Sequence, residues 1–257
     1  MALLAALAGC AAESQLLTED PGFTAASLRE GGLAVLGVVQ VNEVAQVRPP
    51  LIAGLESVLH RTRPDLRIVP ASRVEAALPD TAYRYFLLGY QMRGDPDSLW
   101  LAVAAKAARG MARYGVLARV ETASVRYGMR YVDTGTADRR SGREIPVSGR
   151  DARIAVDVYD LNTRLPVFRG RFIGSSDEAR NLAPRPEASE DSLPVPRRPA
   201  VEGDPGDGSR VHWGPPRTDE GIAYPDAPPV SRAAEAAFLS FVRALPGSEP
   251  PPATGGR

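Results

Sequence analysis

The sequence is short of residues on which many functions depend, and each shortage removes a class. Cysteine occurs once in 257 residues, at position 10, so no disulfide can form within the chain and no cysteine cluster can hold a metal. Histidine occurs twice, as His60 and His212, neither with a Cys, His, Asp or Glu partner at ligand spacing, which argues against a metal centre or a histidine-based triad. Basic and acidic residues number 31 each, so the broad positive surface of a nucleic-acid binder is missing. Lys106 is the only lysine, and the arginines are spread along the whole chain as compositional bias would spread them. No apolar run reaches the ~18 residues that a membrane-crossing helix requires.

Phosphate-binding and nucleophile motifs are lacking as well. Gly31-Gly32 precedes an apolar run, whereas a phosphate cradle follows a strand, opens a helix and usually carries Gly-Lys-Ser/Thr. Ser175-Ser176 has none of the flanking glycines of a nucleophile elbow. The carboxylates Asp157, Asp160, Asp177 and Glu178 lie near one another in sequence. Asp160 and Asn162 read as turn formers, however, and Asp157 reads as a residue on a solvated strand face. No catalytic residue, metal site or cofactor is expected.

What is present reads as an α/β chain of the α+β type: a small mixed sheet with a β-α-β-α start, a helical insertion and then an antiparallel hairpin, covered by helices. The run 31–41 is apolar almost without break, the pattern of a strand buried on both faces. Pro49-Pro50 open a helix with Leu51, Leu55, Val58 and Leu59 on one face. Leu66 to Pro70 is a short strand, and Ser72 with Glu75 forms a capping box for a helix over 73–78. Tyr83 to Tyr90 is an aromatic-rich helix read as packing surface, although aromatic stripes can also stack bases or sugars. Asp95-Pro96-Asp97-Ser98 caps another helix, whose buried side is expected to hold Leu99, Val103 and the small alanines. Tyr114 to Tyr131 alternates as one long strand or two, and 133–149 is expected as a loop. Residues 152–160 and 166–174 form two strands around the turn Leu161-Asn162-Thr163-Arg164.

The expected organisation is a signal at 1–9, a polar lipidated tether at 10–30 and an α/β domain at 31–177. A Pro/Gly-rich disordered linker at 178–230 follows, then a helix at 231–245 that docks on the domain and a disordered tail at 246–257.

The apolar opening ends in Leu7-Ala8-Gly9-Cys10, which resembles a bacterial lipobox at every position. In such proteins the signal peptidase reads the leucine and the small residues, here Leu7, Ala8 and Gly9, and the sulfur of the cysteine, here Cys10, receives a diacylglyceryl group. The basic n-region of a signal is lacking, since no Lys or Arg precedes Cys10, which is the pattern of a start codon placed too far downstream. Ala11-Ala12 lacks the aspartate that resembles an inner-membrane retention signal. The resemblance therefore implies attachment to the outer membrane, facing the periplasm, through an acylated (palmitate-type) anchor.

A second resemblance is carried by Gly31-Gly32-Leu33-Ala34-Val35-Leu36, by 63–70, by Val74-Glu75-Ala76-Ala77-Leu78, and by the hairpin 158–163 with Val167-Phe168-Arg169-Gly170. This order is similar to bacterial envelope lipoproteins of the CsgG-like group, which includes the curli-secretion lipoprotein and penicillin-binding-protein activators such as LpoB. It implies a non-enzymatic α/β module that binds an envelope protein partner or associates with itself. A curli-type secretion pore is a further alternative, against which Arg119, Arg126, Arg130, Arg153, Arg169 and Arg171 crowd the candidate strands. A soluble ligand-binding protein or enzyme remains a third, its site in the cleft at the carboxyl ends of Val35–Val41 and Ile68–Val69.

Overall fold

The computed structural model describes residues 14–41, 48–133, 142–179, 211–214 and 222–248. Cys10 and its neighbours Leu7, Ala8 and Gly9 lie outside this set, as do residues 180–210 of the expected linker and the tail after 248. Among the described residues the fold is α+β, with seven strands in one mostly antiparallel sheet and six helices. The chain divides into two compact units, one of residues 1–124, 150–176 and 229–257, the other of 125–149 and 177–228.

The first unit opens with β1 (Gln15–Glu19) and α1 (Ala25–Gly31), followed by β2 (Leu33–Gln40), α2 (Arg48–Thr62), β3 (Ile68–Val69) and α3 (Ala71–Ala76). The helical insertion is α4 (Asp80–Arg93) and α5 (Ser98–Ala108). Three long strands follow, β4 (Tyr114–Asp133), β5 (Gly142–Asp160) and β6 (Leu165–Ala179), each with residues in both units. The helix α6 (Val230–Ala244) returns to the first unit.

The strand order is β1-β6-β5-β4-β2-β3, with β2 parallel to both β3 and β4. All eight residues of β2 are buried because helices cover both of its faces. Leu33, Val35 and Val38 join the core under α2 and α6, while Ala34, Leu36 and Val39 join the core under α3, α4 and α5. The phase of the alternation shifts by one residue at an irregularity at Gly37, whose φ is +157° and where a Cβ would lie 2.5 Å from Leu87 Cδ2, so a larger residue would have to displace that side chain.

Several expectations change. Residues 15–30, read as a tether, fold as β1 and α1. Thr24 and Ser27 close a reciprocal capping box, and Leu28 is fully buried. The tether reading rested on polarity, yet Phe23 and Leu28 are enough to fasten this stretch to the core. The capping box at Ser72 does not form; α3 starts two residues earlier, at Ala71 behind Pro70, with no side-chain cap. In α5, Asp97 does cap, accepting from Leu99 N at 2.9 Å, but Leu99 is 65% exposed. The buried side is Leu101, Ala104, Ala105 and Ala108, because the small alanines let α5 lie close to its neighbours. The loop expected over 133–149 is strand from Gly142, with Ile145 and Val147 buried on alternate positions across Pro146.

The second unit holds the outer part of β4 and the first part of β5, with the short strand β7 (Val211–Gly214) paired antiparallel to Tyr127–Arg130. Arg126 lies 3.9 Å over the Trp213 ring, Tyr127 meets Tyr224 edge-on at 5.2 Å, and Ser148 Oγ donates to Pro225 O at 2.6 Å. Residues 211–214 and 222–228 are therefore not part of a disordered linker. Poor in aliphatic residues, they are fastened by aromatic, cation–π and backbone contacts instead.

Candidate functional site

A polar cluster lies inside the first unit, on the sheet face that α4 and α5 cover. The alternation of β5 turns Ile154, Val156 and Val158 toward α2 and α6 and sends Asp157 and Tyr159 to the other face. That face was expected to be wet. It is not, because Tyr83, Phe86, Leu87 and Tyr90 close over it from α4, and Asp157 is only 7% exposed.

Tyr90, fully buried, donates its hydroxyl to Asp157 Oδ2 at 2.9 Å. Arg169, reaching across from β6, places Nε 3.3 Å from Asp157 Oδ1. Its outer nitrogen donates to Tyr159 Oη at 3.4 Å and pairs with Asp95, in the turn between α4 and α5. A second set continues along the strands, where Glu121 accepts from Arg119 at 3.0 Å and pairs with Arg171 at 3.3 Å.

Burial pushes the Asp157 carboxyl up to about 6, against the opposing pull of the Tyr90 hydroxyl and of Arg169 and Arg119. Burial, and next the Asp157 charge, raises both tyrosine hydroxyls above their ordinary range. A buried carboxyl titrating near neutrality beside a cavity marks a candidate site.

The cavity measures about 420 Å³ and is lined by Asp95, Ser98, Leu101, Tyr159, Arg164 and Arg169 among others. Asp157 is not among the lining residues and stands behind Arg169. A group that does not face the cavity is not placed to exchange a proton with a molecule in it; Asp157 holds Arg169, and Arg169 and Tyr159 are polar groups that line the cavity. The chemistry on offer is hydrogen bonding and charge, suited to holding a small polar molecule. A second cavity of about 340 Å³ is lined by Glu30, Arg67, Arg113 and Asn162 among others. Neither cavity draws a residue from Val35–Val41 or Ile68–Val69, so neither lies in the cleft expected at those strand ends.

The remaining candidates are dispersed. His60 is exposed on α2 and His212 is exposed on β7. Asp160 accepts from the backbone N–H groups of Asn162 and Thr163, the expected turn role, and also pairs with Arg113 at 2.8 Å. Ser175 donates to Asp151 at 2.6 Å. Of the arginines that crowd the strands, Arg119, Arg169 and Arg171 are paired as above; in the second unit Arg130 pairs with Asp177. Arg153 is exposed. Among the described residues no helix is long and apolar enough to cross a membrane.

No protein-family model and no curated protein matches the sequence. Solved structures that resemble the chain include a PelC dodecamer from Paraburkholderia phytofirmans, 15% identical over 65% of this chain and 84% of that one, with a TM-score of 0.32. The hypothetical protein CT253 from Chlamydia trachomatis is 14% identical over 56% and 71%, with a TM-score of 0.33. Lipoprotein GNA1162 from Neisseria meningitidis is 12% identical over 60% and 88%, with a TM-score of 0.32. Likenesses this distant carry no argument about function.

Proposed function

We propose that the chain is a non-enzymatic envelope lipoprotein, a binding or assembly module held to the periplasmic face of the outer membrane by a lipid on Cys10. The observation that carries this reading is the motif Leu7-Ala8-Gly9-Cys10 placed directly before a folded domain, with β1 starting at Gln15. Its finer form is kinship with the CsgG-like group, including its LpoB-like members, supported by the strand and turn order given above. The buried carboxyl behind Arg169, set back from the cavity it serves, fits recognition better than acid–base catalysis.

Radiolabelled palmitate fed to cells is expected to enter the protein and to be absent from Cys10→Ala. Equal labelling of the two would sink the lipoprotein reading. It would leave a second reading standing, a soluble protein that holds a small polar molecule in the cavity bounded by Arg169 and Tyr159.

A further inference from the structure

The anchor and the fold together say which side of the domain meets the membrane, an inference that rests on lipidation of Cys10. Only four residue steps separate Cys10 from Ser14, whose hydroxyl already accepts from Ile173 N at 3.3 Å. Whatever path the chain takes, those steps span at most about 14 Å. From Gln15 onward there is no slack. Gln15 pairs with Arg171, Leu16 with Gly170, Thr18 with Arg169 and Glu19 with Phe168, and Asp20 N donates to Val167 O at 2.8 Å. Phe23 is then buried and Thr24 caps α1. The lipid is thus attached to the rigid edge of the sheet.

That edge is unusual in composition. β1 is the outermost strand, and among the described residues no strand pairs with its far side. All five of its residues are exposed, Leu16 by 49% and Leu17 by 52%. An open strand edge carrying two exposed leucines is a liability that folded proteins normally cover. The charges along it are graded: half-exposed Arg171 stands opposite Gln15 at the anchored end, while Glu19 and Asp20 lie at the far end. Arg171 pairs with Glu121, which is largely covered, so the exposed groups at the anchored end are the arginine and the two leucines, with Glu19 and Asp20 at the other end; this order matches a phospholipid headgroup layer about 5–8 Å deep.

We infer that the β1–β6 edge docks on the phospholipid surface, with Leu16 and Leu17 in the headgroup region and Arg171 beside the phosphates. The domain is therefore seated on the membrane by its sheet edge, and the opposite edge at β3 points away. Four strands lie between β1 and β3, which places the edges about 24 Å apart.

The test uses the full-length lipidated protein in phospholipid vesicles carrying headgroup nitroxides. Once acylated, Cys10 has no free thiol, so a fluorescent maleimide reports only an introduced cysteine. Leu17→Cys is placed on β1, and Glu75→Cys at an exposed position of α3, the helix that follows the opposite edge strand β3. Quenching at position 17 at least threefold that at position 75 is expected. Equal quenching at the two positions overturns the proposal. So does a label at 17 that escapes the nitroxides yet self-quenches between copies as protein density rises, since a second copy would then cover the edge. Failure of lipidation itself shows separately, as a wild-type protein that stays maleimide-reactive and does not float with vesicles; the proposal then falls with its premise.

Discussion

The two faces of the sheet in the first unit are built from the same strands and differ in almost everything else. Under α2 and α6 the core is apolar, and Phe168, Phe172 and Phe241 form a triangle, with Phe241 5.7 Å from each of the other two rings. There α6 approaches so closely that a Cβ on Gly174 would lie 2.1 Å from Ala233 O. Under α4 and α5 the core holds Tyr90, Asp157, Tyr159 and Arg169, joined by two hydrogen bonds and the Asp157–Arg169 ion pair. The covering helices leave Tyr85, Leu88, Met92 and Leu99 exposed, with Tyr85 stacked on Trp100 at 6.1 Å. One face spends its area on packing; the other encloses charge and a cavity. The difference teaches that apolar packing and buried polar chemistry can be divided between the sides of a single sheet.

The largest effect is expected on the packed side. Phe241→Ala should lower unfolding free energy by about 3–5 kcal/mol, the usual cost of an emptied aromatic site, measured by urea denaturation. A loss below about 1 kcal/mol would mean that the triangle is not the centre of that core.

A smaller effect, with a distinctive pH signature, belongs to the polar side. Because burial raises the Asp157 carboxyl to about 6, the folded chain binds its proton more tightly than the unfolded chain does. The favourable contribution is present in full below the ordinary carboxylate range and is lost as pH rises through about 4 to about 6. For a shift of this size the loss is on the order of 2–3 kcal/mol. Asp157→Asn should remove that decline, seen by comparing denaturation midpoints at several pH values across the window; an unchanged slope would show that Asp157 is not its source.

The smallest effect is expected outside the helices of the same side. Met92 is 75% exposed, and Met92→Ser should shift stability by no more than about 0.5 kcal/mol. A larger loss in thermal melting would show that the exposed apolar residues of α4 belong to a packed surface, and the contrast between the faces would weaken.

Much of the packed side was legible in the residues. The unbroken apolar run of β2 states burial on two faces, and Leu51, Leu55, Val58 and Leu59 state one side of α2. The polar side was not, because alternation tells which residues share a face and not what covers that face. Asp157 opposite Val156 and Val158 reads as solvated until α4 is seen lying over it. The aromatic spacing of Tyr83, Phe86, Leu87 and Tyr90 was the available signal that α4 needed a partner, but it does not name the strand. Likewise, the alanines expected on the inner side of α5 do make its contact, but the helix is turned so that Leu101 joins them and Leu99 faces out.

The sequence by itself determined the α+β order, the helix and strand periods and the lipobox-like motif Leu7-Ala8-Gly9-Cys10, since each depends on residues close together in the chain. Only the tertiary structure decided that Asp157 is buried, that Arg169 and Tyr159 border a cavity, and that Gln15–Glu19 is the outermost strand of the sheet. Those features arise where segments far apart in sequence exclude water from one another, and local pattern carries no record of that exclusion.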